Sequence, residues 1–332
     1  MINLFLLGGL FLGWSFGRNN LSNVFGTAIG TRMVSFRLAV FAASISVILG
    51  ALFSSAQTTD AMRGIADIFS GQGAFLISIV IALTFLLASR FGIPVSIVQS
   101  SVGALVGWNV FFHVTNNWSV LVDMMKAWLY CPIVAAAFSM IGFYGLRFLL
   151  QYVRIPLLYR DLWVRVLLIL SGVYASYFLG ANNMPAIVGA YLNVENLNMF
   201  WMVLMVSVAV AFGFLMADKR VIATVSTGLF PLSPLEALVV VFSCGLTLYC
   251  FSGLGLVHLL TQFHLPTFPS VPVPTSGVLV GSIMGIGFVK GPASIKWGAF
   301  SKIIASWFLV PVISGLICYA ILAIFNSEGA YL

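Results

Sequence analysis

The chain has 332 residues and a formal net charge of +7; 61% of it is hydrophobic and only 7% charged, where soluble domains carry about 25% charged residues. That excludes a water-soluble fold and makes the lipid bilayer the expected solvent. In lipid only helices or closed barrels satisfy their own backbone groups. The apolar runs are about 15–25 residues long, suited to helices crossing roughly 30 Å of hydrocarbon and not to short alternating barrel strands. An all-α polytopic membrane protein is therefore expected. The positive charge reads as the basic excess of cytoplasmic loops, with no nucleic-acid partner implied.

Hydropathy predicts ten crossings, near 2–31, 34–54, 73–89, 94–115, 124–146, 163–193, 198–216, 233–257, 272–289 and 299–325. The first has no basic stretch or small-residue cleavage site at its start, so it reads as a membrane segment and not as a removed signal. Gly and Asn interrupt the first and sixth runs; Pro and polar residues interrupt the fourth and ninth. Those four are expected to break into half-helices or hairpins, giving about 10–12 segments. With the N-terminus outside, Arg32, Arg37, Arg90, Arg147, Arg154, Arg160, Arg165, Lys219, Arg220, Lys290, Lys296 and Lys302 all fall inside. Asp60, Asp67, Asp123, Glu195 and Glu328 then fall outside, which satisfies the positive-inside rule. Both termini are expected outside the cell membrane.

Two motifs recur. Gly17-Arg18-Asn19-Asn20-Leu21-Ser22-Asn23-Val24-Phe25-Gly26 is echoed in the second half by Gly180-Ala181-Asn182-Asn183-Met184-Pro185-Ala186-Ile187-Val188-Gly189, with the same distance from first to last glycine. Pro94-Val95-Ser96 is echoed by Pro274-Thr275-Ser276, and Gly107 and Gly287 keep the spacing of that pair. Residues 1–150 and 151–332 thus read as two repeats. Five crossings per repeat is odd, so the second must be inverted, a plan that sets a transport site at mid-bilayer where paired helices break.

Asn side chains both donate and accept, and a restarting half-helix presents free N–H groups and a positive dipole end, a setting made for an anion. The candidate substrate-binding set is Arg18, Asn19, Asn20, Asn23, Ser96, Gln99, Ser100, Asn182, Asn183, Thr275 and Ser276, with Ser22 and Thr27 as further neutral donors. Any single Ser or Thr here is as readily a helix-packing residue. Arg18 stands out, because a central arginine costs at least ~2.5–3.5 kcal/mol on insertion scales and usually faces a cavity. Its fork of donors suits a tetrahedral oxyanion; the alternatives are snorkelling to an interface or structural pairing. Cys131, Cys244, Cys250 and Cys318 have no metal-ligand spacing and read as small core residues. His113, His258 and His264 fall at span ends or in loops, and Glu236 at a helix start. No nucleophile, paired acids or metal set is visible, so an enzyme is not expected, nor a cofactor. A channel for anions shares the repeat plan and stays open as an alternative.

At these motifs the chain resembles the inorganic phosphate transporter (PiT) family, whose repeated signature reads G-A-N-D-x-A-N. Gly17–Asn23 with Phe25–Gly30 is similar to the first copy, and Gly180–Asn183 to the start of the second. Pro94–Gln99 and Pro274–Ser276 are similar to the family's P-V-S-T-T-H segment, Gly281–Gly287 to its Gly-rich stretch, and Trp297-Gly298 to its C-terminal end. The resemblance implies phosphate as substrate and a homodimer. It also exposes departures: both signature aspartates are asparagine (Asn20, Asn183), Ala is Arg18, the last Asn of the second copy is Ala186, and His is Gln99 or Leu279. The family aspartates are associated with coupling, so their loss leaves the coupling ion, proton or sodium, open. It suggests that Arg18 replaces a bound cation's charge. Loss of carboxylate acceptors favours sulfate, which carries no proton, and some family members are sulfate permeases; the family as a whole favours phosphate.

Overall fold

Apolar sequence with well-placed caps dictates the helices of this chain. The computed structural model describes residues 2–66, 68–92, 94–152, 156–253, 256–264 and 267–327. Asp67, Arg154 and Glu328, used above for orientation, lie outside the described residues, as does the side chain of His258. In chain order the helices are α1 (Ile2–Gly30), α2 (Phe36–Ser54), α3 (Ala56–Arg63), α4 (Gly71–Ser89), α5 (Ile97–Phe111), α6 (Trp118–Tyr152), α7 (Leu157–Val188), α8 (Met199–Leu215), α9 (Lys219–Ala223), α10 (Pro234–Phe251), α11 (Leu256–Gln262), α12 (Thr275–Lys290) and α13 (Trp297–Ser327). Side chains of Ser35, Ser70, Ser96 and Asn198 accept first-turn N–H groups of α2, α4, α5 and α8, filling donors that lipid cannot. Glu236 closes a capping box with Ser233 at the start of α10, as its sequence position suggested, and also receives Lys290 Nζ at 2.6 Å.

Among the described residues six helices are long and apolar enough to cross a membrane, or seven if α8 and the segment after it, bent by 71°, count as one. The difference from ten has identifiable causes. The 29-residue α1 carries Arg18 and three Asn in its middle, and α5 and α12 are only 15 and 16 residues long. Those two are the expected half-helices, each preceded by non-helical chain at Pro94 and Pro274.

The expected breaks at the Gly-Asn runs are not there. α1 runs unbroken through Gly17–Gly26, and α7 through Gly180–Pro185. The glycines serve close packing instead: a Cβ on Gly17 would strike the Val210 carbonyl oxygen of α8, and one on Gly180 the Val47 carbonyl oxygen of α2. Pro185 lacks the N–H that Ala181 would otherwise receive; Thr58 Oγ1 donates to that carbonyl at 3.3 Å.

Packing crosses between the halves in matched pairs. α1 lies on α8 and α2 on α7; α5 lies on α13 and α12 on α6; within the halves, α4 covers α1 and α10 covers α7. α6 and α13 turn rows of large apolar side chains outward, among them Leu129, Ile133, Phe308 and Leu316, which lipid accepts without cost.

Candidate functional site

The motif helices α1 and α7 cross each other, α12 meets α1, and α5 meets α7. On α1, Asn20 Nδ2 donates to its own helix at Phe16 O (3.0 Å). Only an amide nitrogen can do that, so the Asn20 oxygen must face away. It receives Asn23 Nδ2 at 2.5 Å and Thr275 Oγ1 at 3.3 Å, and Asn23 also donates to Thr275 Oγ1 at 3.2 Å. Asn20, Asn23 and Thr275 thus form one cluster joining α1 to the first turn of α12. The Asn23 Oδ1 that remains is buried and unpartnered.

On α7 the pattern begins identically. Asn183 Nδ2 donates to Leu179 O (2.9 Å), and its Oδ1 again faces away. Here the counterparts of Asn23 and Thr275 are Ala186 and Val95, so nothing fills it: Asn183 Oδ1 is buried without a partner. The Ala186 carbonyl instead receives Ser101 Oγ from α5 at 2.8 Å.

The first asparagine of each motif works as an anchor. Asn182 clamps Val273, donating Nδ2 to its carbonyl (2.8 Å) and accepting its N–H (2.9 Å), which fixes the chain entering Pro274 and α12. Asn19 donates to Ser89 Oγ (2.8 Å) at the end of α4, just ahead of Gly92 (φ +67°) and Pro94. Asn182, expected in the binding set, therefore has both amide groups committed to backbone.

The half-helices bring polar first turns to this level. Ser96 caps α5 by accepting Gln99 N–H (3.4 Å), so its hydroxyl oxygen is engaged in the cap. Ser100 and Ser276 are fully buried, and their hydroxyls, like that of Thr27, have no partner. Buried polar groups without a partner are uncommon, and each calls for an explanation. Gln99 is buried beside them in the α5 first turn.

Arg18 lies elsewhere. It is two residues from Asn20, about 200° round the helix. Its guanidinium carbon stands 5.1 Å above the Trp14 ring, and its carbonyl receives Asp218 N–H at 2.8 Å. The structure does not bring Arg18 to the asparagine cluster, because residues two apart on a helix cannot share a face. Sequence reasoning missed the supporting hydroxyls Thr58, Ser89 and Ser101; an isolated Ser or Thr in an apolar run gives no signal of its partner. The Gly26–Gly30 stretch packs on a π-helical turn at Thr224–Gly228, where Cβ atoms would meet Val225 and Ser226.

The sequence model of the Phosphate transporter family matches residues 16–264 and 259–328. The chain belongs to that family. Among its relatives, "Putative phosphate permease" of Methanocaldococcus jannaschii is 26% identical, with 96% of each chain covered. "Sulfate permease CysP" of Bacillus subtilis is 25% identical over 98% of this chain and 88% of its own. A solved structure titled "The sodium-dependent phosphate transporter" superposes with a TM-score of 0.79 at 18% identity, covering 98% of this chain and 99% of that one. The shared fold makes this phosphate-transporter family member a multi-pass helical membrane protein.

Proposed function

We propose that the protein is a secondary transporter that carries inorganic phosphate through a site bounded by α1, α7 and the first turns of α5 and α12. The observation that carries this reading is the set of buried, unpartnered oxygens on those four elements: Asn23 and Asn183 Oδ1, Ser100 and Ser276 Oγ. First-turn N–H groups and hydroxyls supply donors for an oxyanion. The two amide oxygens supply acceptors, and a phosphate that still carries protons needs acceptors where sulfate does not. The orientation of both amides is dictated by the groups they donate to, so the acceptor role follows from chemistry. Family membership and the phosphate permease relatives support the same substrate.

Sulfate is the second reading, favoured by the Bacillus subtilis relative named as a sulfate permease. Residues 1–150 and 151–332 act as two inverted repeats whose rocking alternates access to the site. The matched crosswise packing of helices supports this. Both termini lie outside the cell membrane by the distribution of Lys and Arg, and the protein works as a homodimer. The coupling ion is a proton or sodium; the amide replacement of both signature carboxylates weakens a cation site.

The test is uptake of labelled phosphate and sulfate into proteoliposomes with sodium and proton gradients imposed separately. Saturable phosphate uptake is expected, driven by one of the two gradients. Saturable uptake of neither anion overturns the reading, and flux that never saturates identifies a channel.

A further inference from the structure

One more motif repeats between the halves: Trp128-Leu129-Tyr130-Cys131-Pro132 in α6 and Trp307-Phe308-Leu309-Val310-Pro311 in α13. At each proline a half-helix comes into backbone contact. A Cβ on Gly281 of α12 would run into the Pro132 carbonyl oxygen, and one on Gly103 of α5 into that of Pro311. One turn further, Gly285 meets Ala136 and Gly107 meets Gly315. Each half-helix therefore runs parallel to its partner in constant register. One turn in the other direction, the same register sets Trp128 level with Gly277 and Trp307 level with Gln99. Those residues lie in the first turns of α12 and α5. The Trp307 ring also reaches the opposite half-helix, 3.7 Å from where a Cβ on Gly277 would stand.

In both tryptophans the indole Nε1 is buried and has no hydrogen-bond partner. An indole N–H can only donate, and leaving it unfilled away from water is unfavourable. Two such donors, related by the repeat, sit at the level where Ser100 and Ser276 also hold unfilled hydroxyls. A protein acceptor is not what they serve; an acceptor that comes and goes fits both at once.

We propose that Trp128 and Trp307 are substrate-contacting residues, a pair of indole N–H donors that flank the oxyanion between the first turns of α5 and α12. The proposal rests on the oxyanion site described above and adds a division of labour to it. Donor-only groups serve phosphate and sulfate equally, because both accept. Discrimination between the two falls to the amide oxygens of Asn23 and Asn183.

The experiment combines two readouts. Protein with 15N-labelled indoles, reconstituted in nanodiscs, is titrated with inorganic phosphate and with sulfate. Its eight tryptophan N–H resonances are assigned by single Trp→Phe substitutions. Uptake by Trp128→Phe and Trp307→Phe is measured alongside, since phenylalanine keeps an aromatic ring and loses the N–H. Saturable shifts of the Trp128 and Trp307 resonances with both anions are expected. Each Phe variant should need about tenfold more phosphate and sulfate for half-saturation, the loss of one hydrogen bond to a charged group. The proposal is overturned if wild type takes up phosphate saturably while both resonances stay still and both variants keep the wild-type half-saturation; the transport reading then stands. Where wild type takes up neither anion, the transport reading fails and this inference fails with it. Should a Phe variant misfold, the wild-type titration decides alone, two moving indole resonances supporting the pair and none overturning it.

Discussion

The α1–α12 contact and the α7–α5 contact start from copies of one motif and finish differently. On α1, Asn20, Asn23 and Thr275 close a three-residue hydrogen-bonded cluster onto the half-helix. On α7, Ala186 and Val95 stand in the positions of Asn23 and Thr275, and the Asn183 oxygen is left unfilled beside α5. Two changes of residue type turn a closed hydrogen-bonded cluster into one unfilled acceptor. A repeat thus supplies the scaffold twice, while divergence between the copies decides how many of its amide groups are paired within the protein.

The largest effect should be common to both copies, because it comes from packing. Gly17→Leu and Gly180→Leu each drive a side chain into a backbone carbonyl of the crossing helix, and overpacking of this kind has no room to relax. Both variants should yield no monodisperse peak in size-exclusion chromatography. If only one fails, the two crossings are not equivalent.

The next test separates the copies. Asn20→Ala strips an acceptor from both Asn23 and Thr275, costing about 1–3 kcal/mol, and should lower the thermal unfolding midpoint of the detergent-solubilised protein. Asn183→Ala loses the equivalent bond to its own helix but an oxygen with no protein partner. Its midpoint should fall clearly less, while the phosphate concentration for half-maximal uptake rises about tenfold. Equal midpoints for the two variants would break the distinction between a filled and an unfilled asparagine.

Much of this was legible in the sequence. Composition pointed to the membrane class, and the paired Pro-x-Ser segments marked α5 and α12 as half-helices. Asn20, Asn23, Thr275, Asn183, Ser100 and Ser276 were all named. What failed was the meaning of glycine. Gly17 and Gly180 looked like helix breakers, yet each permits backbone to meet backbone, and that depends on a partner helix remote in the chain. The roles of Asn19 and Asn182 were hidden for the same reason, since nothing local shows that an amide will clamp Val273 or meet Ser89. Arg18 could have been placed from sequence: helical periodicity alone separates its face from that of Asn20 once the run is taken as continuous.

A gain-of-contact variant sharpens the comparison further. Val95→Thr combined with Ala186→Asn rebuilds on α7 and α5 the cluster that α1 and α12 possess. It should stabilise the protein by about 1 kcal/mol and slow phosphate uptake, both measurable on one preparation. Unchanged uptake would show that the unfilled Asn183 oxygen is not needed for passage.

The smallest expected effect belongs to Arg18. Its side chain stacks on Trp14, on a helix face about 200° from that of Asn20, so it acts on the site through its charge alone. Arg18→Ala should alter phosphate half-saturation by no more than about threefold, a long-range electrostatic contribution. A loss as deep as that of Asn183→Ala would return Arg18 to the binding set.

The most direct test of the site is a structure determined with arsenate, a heavier mimic of phosphate, and located by its anomalous scattering. The account predicts an arsenic peak between the first turns of α5 and α12, within hydrogen-bond reach of Ser100 or Ser276 and of Asn183 Oδ1. A peak beside Arg18 at the end of α8, with none between the half-helices, would contradict it.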